Sequence, residues 1–340
     1  MLNLDSKKTS EKLVDHSWEL DLNTREPSSL SRPLFNGTGA LLALCQFPGK
    51  VRLSNLLGRV ASRFTPEADC QPLKGAWVTV SLSDRIGRLM WTGCYERELV
   101  GLLERVLDSG MAFVDIGAQI GYFSVTAAAQ VGQRGAVYSF EPDPDCYSNL
   151  VRNGQHYPWI KAYNSVVADF TGHVSFYRSP KQGESGWGTI FNDDGKRAEV
   201  KVQACSLDSW ATATRPERID FIKVDVEGAE CRVLDGARAL IAKTRPLLWV
   251  EANEVCLSRD GKSVSLLLQQ LVKLDYVPGV LGEGRSHSVQ NIVAVPKEKT
   301  EFFGRIALAG ARGRRAYWGY FSTSRKQNTA VRGRRRRHNR

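Results

Sequence analysis

Between residues 112 and 296, short apolar runs alternate with longer segments whose apolar residues recur at helical spacing. The short runs predict strands at residues 112–117, 136–141, 160–168, 219–226, 246–252, 276–281 and 291–296. The longer segments predict helices at residues 120–131, 143–155, 228–243 and 263–274. Strands alternating with helices of this length are typical of βαβ units, whose mainly parallel sheet is covered on both faces. The pattern therefore predicts a doubly wound, Rossmann-like α/β fold.

The segments outside this alternation carry weaker patterns. Residues 76–92 alternate apolar and polar positions on either side of a Ser-Asp pair, which predicts a short β-hairpin. Residues 96–107 place their aliphatic residues on one helical face, which predicts a helix. Two further strands are predicted at residues 173–178 and 198–205, with a glycine- and serine-rich loop between them.

We expect the chain to have three parts. Residues 1–75 show little periodicity and are expected to form a variable N-terminal extension. Residues 76–300 are expected to form the main domain, with the hairpin and its helix at 76–108 and the alternating core at 112–296. Residues 301–340 are expected to form a basic tail.

The net charge of +11 is concentrated near the C-terminus. Residues 297–340 contain 14 Lys or Arg against two Asp or Glu, whereas the rest of the chain has 33 against 34. The last ten residues include six arginines and one aliphatic residue, a composition typical of a disordered tail. Such a tail either contacts nucleic acid or acidic surfaces by charge alone or is simply solvated.

Cysteine usage and hydropathy indicate a cytoplasmic protein. The seven cysteines are odd in number and never in CxxC spacing, which favours reduced thiols over disulfides or a zinc site. No apolar run approaches the roughly 20 residues of a transmembrane helix, and the N-terminus lacks the apolar region of a secretory signal.

The sequence FVDIGAQIGYFS (113–124) runs from a predicted strand through a glycine-bracketed turn into a predicted helix. Gly117 permits a sharp turn, Gly121 permits a close approach of helix and strand, and the N–H groups of the helix start favour a negative group. Glu141 ends the next predicted strand, 20 residues beyond Gly121, where a carboxylate can accept from both hydroxyls of a ribose. The turn and Glu141 together predict a nucleoside-binding pocket.

The residues of the turn favour a nucleoside without phosphate groups. Ala118 and Gln119 stand where a middle glycine would bring the backbone close to a pyrophosphate, and the Asp115 carboxylate would repel phosphate. Asp115 would instead pair with an ammonium group, directly or through water, while the helix start would take a carboxylate. S-adenosylmethionine has a ribose, an ammonium and a carboxylate and no phosphate, so we expect it to be the cofactor.

Four motifs, in this order, make the chain resemble a known family: VDIGAQIGYFS (114–124), FEPDP (140–144), FIKVDVEGAE (221–230) and PLLWVE (246–251). Over about residues 90–296 the sequence resembles the FkbM-type family of S-adenosylmethionine-dependent methyltransferases. The segment TGCYERELV (92–100) is also similar to the approach helix of this family. The resemblance implies the class I methyltransferase fold, with a mainly parallel seven-stranded sheet, and methyl transfer to a hydroxyl oxygen.

The resemblance also implies a set of cofactor-binding residues. Asp169 matches, more loosely, the position that contacts the adenine amino group, with Phe170 packing on the ring; a plain turn aspartate is the alternative interpretation. The candidate cofactor-binding residues are Glu96, Asp115, Gly117, Ala118, Gln119, Gly121, Glu141, Pro142, Asp169 and Phe170.

Three carboxylates are the candidates for catalysis. Asp225 and Glu227 follow a predicted strand and Glu251 ends the next one, so each is a candidate to accept the proton of a substrate hydroxyl. Glu227 has a structural alternative, because acidic side chains also stabilise the first turn of a helix. Methyl transfer demands no metal and we expect none, although these carboxylates are of a type that can bind one.

The expected reaction is O-methylation of a hydroxyl on a sugar, a glycan or a small-molecule natural product. One alternative, an NAD(P)-dependent oxidoreductase, accounts for the turn and Glu141 but not for VDVEGAE, and the turn lacks the G-x-G-x-x-G spacing. A second alternative is a protein that binds or methylates RNA through its arginine-rich tail. That alternative predicts salt-sensitive RNA binding that is lost when residues 325–340 are removed.

Overall fold

The computed structural model describes residues 31–45, 47–179, 186–192, 195, 197–281 and 289–299. The helices of this part are α1 (Ser31–Leu44), α2 (Lys50–Ala61), α3 (Arg85–Trp91), α4 (Arg97–Val106), α5 (Tyr122–Val131), α6 (Pro144–Gly154), α7 (Leu207–Thr214), α8 (Glu230–Asp235), α9 (Arg238–Thr244), α10 (Glu254–Ser258) and α11 (Val264–Lys273). The strands are β1 (Glu67–Cys70), β2 (Val78–Ser81), β3 (Ala112–Ile116), β4 (Ala136–Phe140), β5 (Ile160–Tyr163), β6 (Ser165–Val167), β7 (Gly172–Tyr177), β8 (Glu199–Cys205), β9 (Phe221–Val224), β10 (Leu247–Asn253), β11 (Tyr276–Leu281) and β12 (Val289–Pro296).

The central sheet has seven strands in the order β11-β12-β10-β9-β3-β4-β5. Strands β10, β9, β3, β4 and β5 are parallel, and β12 runs antiparallel to both of its neighbours. The prediction of a mainly parallel, seven-stranded sheet is confirmed. After β3 the chain proceeds to one edge of the sheet and then returns to place β9 on the other side of β3. Ligands of such sheets bind at this reversal, beyond the carboxyl ends of the strands.

Alternate residues of the central strands are buried in two separate apolar layers, one on each face of the sheet. One layer contains Phe113, Phe221 and Trp249. The other layer contains Val114, Ile222 and Val250. Because both faces are covered, β3 and β9 are buried at every position, as expected of the middle strands of a parallel sheet.

The strand predicted at residues 160–168 is in fact two strands in two sheets. Residues 160–163 form β5 of the central sheet, whereas 165–167 form β6 of a smaller sheet with the order β6-β8-β7. The change of direction occurs at Asn164, whose Nδ2 donates to the carbonyl oxygens of Glu141 at 2.8 Å and Pro142 at 3.0 Å. A side chain that satisfies backbone groups at a bend gives no periodic signal in the sequence.

The hairpin predicted at residues 76–92 is wrong. Residues 85–91 form the helix α3, and β2 pairs antiparallel with the earlier strand β1. Asp84 caps α3, because its Oδ1 accepts from the N–H groups of Ile86 at 2.6 Å and Gly87 at 3.2 Å.

The boundary expected at residue 75 falls between two paired strands. The pairing of β1 with β2 crosses it, and Asn36 of α1 accepts from the Asp69 N–H at 2.8 Å. Residues 31–75 are therefore packed continuously with the segment that follows, while residues 1–30 and the basic tail at 301–340 lie outside the described residues. Across the described ranges, no helix is long and apolar enough to cross a membrane.

The helix predicted at residues 228–243 is divided into α8 and α9. The division occurs at Gly236, where a Cβ atom would lie 2.0 Å from the carbonyl oxygen of Ala168. This close approach requires glycine and interrupts the helix.

Candidate functional site

A cavity of about 360 Å³ opens beyond the carboxyl ends of β3, β4 and β9. Nine of the predicted site residues line it: Glu96, Gly117, Ala118, Gln119, Glu141, Pro142, Asp225, Glu227 and Glu251. Four do not: Asp115, Gly121, Asp169 and Phe170. The turn and the three candidate catalytic carboxylates, which are far apart in the sequence, therefore meet in one space.

The turn after β3 is held rigidly by the neighbouring strands. Gly117 has a φ of 78°, and a Cβ atom there would lie 1.8 Å from the carbonyl oxygen of Asp225, so only glycine fits. The N–H groups of Gly117 and Ala118 both donate to the Phe140 carbonyl at 3.0 Å, and that of Gly121 donates to Ala118 at 2.8 Å. These three donors are therefore used to shape the turn.

Gly121 has a structural role beside the cavity rather than in it. It caps the N-terminus of α5 with a φ of 85°, and a Cβ atom there would lie 2.7 Å from a methyl carbon of Leu150. It therefore allows α5 and α6 to approach, whereas the sequence interpretation expected it to let a helix approach a strand.

Glu141 is buried at the end of β4 and is joined to the turn. Its Oε2 accepts from the Gln119 N–H at 2.8 Å, and its Oε1 accepts from the Asp143 N–H at 2.8 Å. Each carboxylate oxygen has a second acceptor position, so Glu141 can still receive hydroxyl donors from a ligand. Burial raises the pKa of Glu141 to about 7, despite these backbone donors.

Asp115 does not face the cavity, which corrects the expectation that it binds an ammonium group of the cofactor. The side chain is fully buried, and its Oδ2 accepts from the Ser124 hydroxyl at 2.7 Å. Its Oδ1 lies 3.4 Å from the Nζ of Lys223. The cation that pairs with Asp115 is therefore a lysine of the chain itself.

Lys223 is a cavity residue that the sequence interpretation missed. Its Nζ donates to the Gly117 carbonyl at 2.9 Å and lies 3.4 Å from both Asp115 Oδ1 and Asp225 Oδ2. Burial opposes its charge, but the two aspartates outweigh burial and raise the pKa of Lys223 well above its usual value. The signal available in the sequence was a lysine inside the otherwise apolar strand β9, in FIKVDV.

Besides the carboxylates that directly follow β4, four further carboxylates line the cavity. The three predicted as catalytic, Asp225, Glu227 and Glu251, place one oxygen each within 4.8 Å of one another. The fourth, Glu96, accepts from the Nδ2 of Asn291 at 3.3 Å. We call these four residues the acidic cluster. Oxygen donors this close together suit a cationic ligand or a hard divalent metal ion.

Three glutamates of the acidic cluster, Glu96, Glu227 and Glu251, hold protons more tightly than ordinary carboxylates do. Burial, reinforced by the nearby Asp225, raises the pKa values of Glu96 and Glu227 to about 7 each. The charge of Asp225, followed by burial, raises the pKa of Glu251 well above its usual range, and the two side chains share a hydrogen bond. Like charges at this distance cannot all ionise together, so the cluster is partly protonated near neutral pH.

Three cavity residues other than glycine have left-handed backbone conformations. They are Glu96 with a φ of 37°, Gln119 with a φ of 51° and Glu227 with a φ of 53°. Such conformations are strained for residues with a Cβ atom and tend to occur at functional sites. Here the strain positions three polar side chains around one cavity.

Asp169 and Phe170 lie outside the cavity, which contradicts their expected contact with an adenine ring. Asp169 Oδ1 lies 3.8 Å from a guanidinium nitrogen of Arg232, and Phe170 packs against the small cluster under the second sheet. The reason is the division of the predicted strand, which carries residues 165–170 into that sheet. The cavity wall at this place is made by Ser165, Val166 and Val167.

Residues 115–278 match the family described as "Methyltransferase FkbM domain". The 2-O-methyltransferase NoeI of Sinorhizobium fredii is 26% identical over 194 residues, which are 53% of this chain and 78% of NoeI. The hexuronic acid methyltransferase AglP of Haloferax volcanii is 26% identical over 177 residues, 52% of this chain and 68% of AglP.

A crystal structure of Methyltransferase FkbM from Methylobacillus flagellatus KT aligns with a TM-score of 0.38 at 18% identity. The alignment covers 61% of this chain and 54% of that one, so this chain spans about half of the solved protein. The family match includes the turn, Glu141 and the two acidic positions after β9, which also line the cavity. Residues 115–278 of this chain thus match a methyltransferase FkbM domain, and the residues that line the cavity lie largely within that match.

Proposed function

We propose that the cavity binds S-adenosylmethionine and that the chain transfers its methyl group to a hydroxyl oxygen of a carbohydrate. The observation that carries this proposal is that two unlike sets of residues line one cavity. One set is the turn with the buried Glu141, and the other is the acidic cluster. A nucleoside that carries a positive charge is complementary to both.

The part of the cavity around Glu141 fits a ribose and a planar base. Glu141 has acceptor capacity for hydroxyl donors, and the adjoining wall is formed by the apolar side chains of Phe140, Val166 and Val167. The expected adenine contacts of Asp169 and Phe170 are replaced in this proposal by that wall. The Gln119 N–H of the turn donates to the Glu141 carboxylate and so joins the turn to the end of β4.

The acidic cluster favours a sulfonium and an ammonium over phosphate. Four carboxylates face a single buried lysine, Lys223, whose charge is already balanced by Asp115 and Asp225. A pyrophosphate at this place would meet uncompensated negative charge. The NAD(P) alternative is therefore disfavoured, and in this proposal the repulsion of phosphate comes from the acidic cluster rather than from Asp115.

When bound, the cofactor supplies a methyl group on an activated sulfonium carbon. The chain has to hold that carbon in line with an acceptor hydroxyl and to remove the hydroxyl proton. In our proposal Glu227 is the base, because its pKa of about 7 suits proton transfer near neutral pH and its Oε2 is oriented by the Cys256 thiol at 3.0 Å. Asp225 lies between Lys223 and Glu251 and positions both.

The carbohydrate acceptor is supported by the relatives and by the rim of the cavity. NoeI and AglP bear the names of a 2-O-methyltransferase and a hexuronic acid methyltransferase. Trp187 lines the cavity with 42% of its surface exposed, so it offers a flat apolar face beside polar groups. Such a combination matches the apolar ring faces and polar edges of a sugar.

The test is transfer of a labelled methyl group to a panel of glycans, uronic acids, non-carbohydrate alcohols and RNA, with wild type, Glu227→Gln and Glu227→Asp. Loss of a general base should lower kcat by about 10²–10⁴ in Glu227→Gln, with S-adenosylhomocysteine affinity little changed. Partial recovery is expected in Glu227→Asp. Unchanged turnover in Glu227→Gln would remove this residue as the base, and methylation of RNA alone would overturn the carbohydrate acceptor.

Two further expectations stay predictions. The basic tail at residues 301–340 lies outside the described residues, so its contact with nucleic acid or acidic surfaces depends on the sequence alone. Methyl transfer that persists when residues 325–340 are deleted would show the tail to be accessory. The cytoplasmic location expected from the cysteine usage and hydropathy of the sequence likewise stays a prediction.

A further inference from the structure

Exposed apolar side chains are concentrated in one short stretch of the chain. Of thirteen large apolar residues exposed in the described ranges, seven lie between residues 41 and 64: Leu41, Leu44, Phe47, Val51, Leu56, Val60 and Phe64. We call this surface the α1–α2 patch. Single exposed apolar residues are ordinary, but clusters of them mark interaction sites.

The burial pattern of α2 differs from that of an ordinary surface helix. The face it buries consists of Lys50, Ser54, Gly58 and Ala61, all small or polar. Among its larger aliphatic residues, Leu57 is partly buried against the core, whereas Leu56 and Val60 are 60% and 45% exposed on the opposite side. An amphipathic helix normally turns its large apolar residues towards the core, so the outer face of α2 is built for a different contact.

The outer face of α2 is also cationic. Arg52 and Arg59 are exposed on α2 near Leu56 and Val60, and Arg63 is exposed just after the end of the helix. Residues 27–66 contain no Asp or Glu. Within the described residues, none of these arginines has a carboxylate partner in a salt bridge. Arginines interleaved with aliphatic residues can place their charge among headgroups while the apolar side chains enter the acyl region.

We propose that the α1–α2 patch docks on the surface of a bilayer that contains anionic lipids. The charge of the patch is complementary to anionic headgroups, and its exposed aliphatic and aromatic side chains are complementary to the layer beneath them. A second copy of the chain fits less well, because a two-fold interface would bring the arginines of the patch against their own copies.

The patch is separated from the methyl-transfer cavity by the single helix α3. Gly58 of α2 packs directly on Arg88 of α3, where a Cβ atom would lie 2.4 Å from the arginine Cδ. On the same helix, Ile86, Leu89 and Met90 line the cavity. Docking of the patch therefore brings the cavity close to the bilayer surface, whatever acceptor the cavity binds.

The test is co-sedimentation of the full chain with vesicles of phosphatidylcholine alone or mixed with phosphatidylglycerol. The chain offers a matched control, because Val255 and Leu266 are exposed to 61% and 46%, close to the values for Leu56 and Val60. Leu56→Ser/Val60→Ser should bind mixed vesicles about tenfold more weakly, whereas Val255→Ser/Leu266→Ser should bind like wild type.

A second variant tests the charge separately. Arg52→Gln/Arg59→Gln/Arg63→Gln should weaken binding to mixed vesicles about 100-fold, and wild-type binding should fall as salt is raised. All variants change exposed side chains and should melt like wild type. Patch variants that bind like wild type would overturn the proposal and assign vesicle binding to the tail. Absence of wild-type binding, or a dimer that Leu56→Ser/Val60→Ser dissociates, would overturn it equally.

Discussion

Lys223 shows how one side chain can join the parts of the site. Its ammonium contacts the Gly117 carbonyl of the turn, the structural Asp115 and the cavity residue Asp225. A buried cation with two anions and a carbonyl around it is satisfied only while all of them are present. The turn and the acidic cluster are therefore positioned by the same group.

Replacing Lys223 by methionine should be strongly destabilising. The side chain keeps its volume but leaves Asp115 and Asp225 buried without a counter-ion, which costs about 3–5 kcal/mol when one partner of a buried pair is lost. Denaturant unfolding at neutral pH measures this loss. Lys223→Arg is the control, since it keeps the charge; equal losses in both variants would contradict an electrostatic role.

Glu141 should make cofactor binding depend on pH. Ribose hydroxyls donate to an ionised carboxylate, and the pKa of Glu141 is about 7, so affinity for S-adenosylhomocysteine should rise with pH through neutrality. Glu141→Ala should lose about 10- to 100-fold in affinity by calorimetry, through lost charged hydrogen bonds. Glu141→Gln should bind weakly but without the pH dependence. An alanine variant with wild-type affinity would show that Glu141 does not contact the ligand.

The sequence identified the residues of the cavity better than it identified their partners. Gly117, Glu141 and Asp225 were predicted because strand ends in parallel sheets converge on one edge. The role of Asp115 was misjudged, because its partner Lys223 is 108 residues away and only the register of β3 with β9 brings them together. Pairings of that kind depend on the folded sheet and leave no local pattern.

At the scale of elements, the sequence predicted the strands and helices that have strong periodicity. It did not predict the places where a strand or a helix is divided in two. Strands β3, β4 and β9 occupy the places that their apolar runs indicated. The division at Asn164 depends on a side chain that binds backbone carbonyls of the preceding strand's end. The helix α3 was mistaken for half of a hairpin because seven residues carry too few periods to separate a helix from a strand.

Two glycine substitutions should have opposite effects on stability. A Cβ atom on Gly236 would lie 2.0 Å from the Ala168 carbonyl, so Gly236→Ala should cost about 1–3 kcal/mol by forcing α8 away from the second sheet. Gly101 lies inside α4 with nothing within 4 Å of a Cβ atom, and Gly101→Ala should stabilise by about 0.5–1 kcal/mol. Chemical denaturation measures both. Stabilisation by Gly236→Ala would show that the close approach of Gly236 to Ala168 does not require glycine.

At the scale of the whole molecule, buried carboxyl groups set the dependence of stability on pH. Burial raises the pKa values of Glu96, Glu141, Glu227 and Glu230 to about 7 each. The folded state then binds more protons than the unfolded chain between about pH 4.5 and pH 7. Their contribution to stability is fully present below that range and is lost as the pH rises through it.

Glu230 offers a test of this dependence away from the cavity. It is 2% exposed, and its Oε1 accepts from the Gly228 N–H at 3.0 Å. Glu230→Gln keeps that acceptor and removes the ionisation, so the variant should gain stability relative to wild type as the pH rises from 5 to 8, by on the order of 3 kcal/mol. Thermal melts of both proteins across this range measure the difference. A constant difference would show that Glu230 does not titrate near neutrality.

The protons held by the acidic cluster have a consequence for the reaction cycle. A cation that enters between Glu96, Glu227 and Glu251 lowers their affinity for protons, so its binding near neutral pH should release protons to the buffer. The thioether left after transfer is neutral, so it lowers the proton affinity of these carboxylates less than the sulfonium does. Calorimetry in buffers of different ionisation enthalpy would count the protons, which should be fewer for S-adenosylhomocysteine than for S-adenosylmethionine. The site would then recover part of its protons at the transfer step itself, when the sulfonium becomes a thioether and the spent cofactor is still bound.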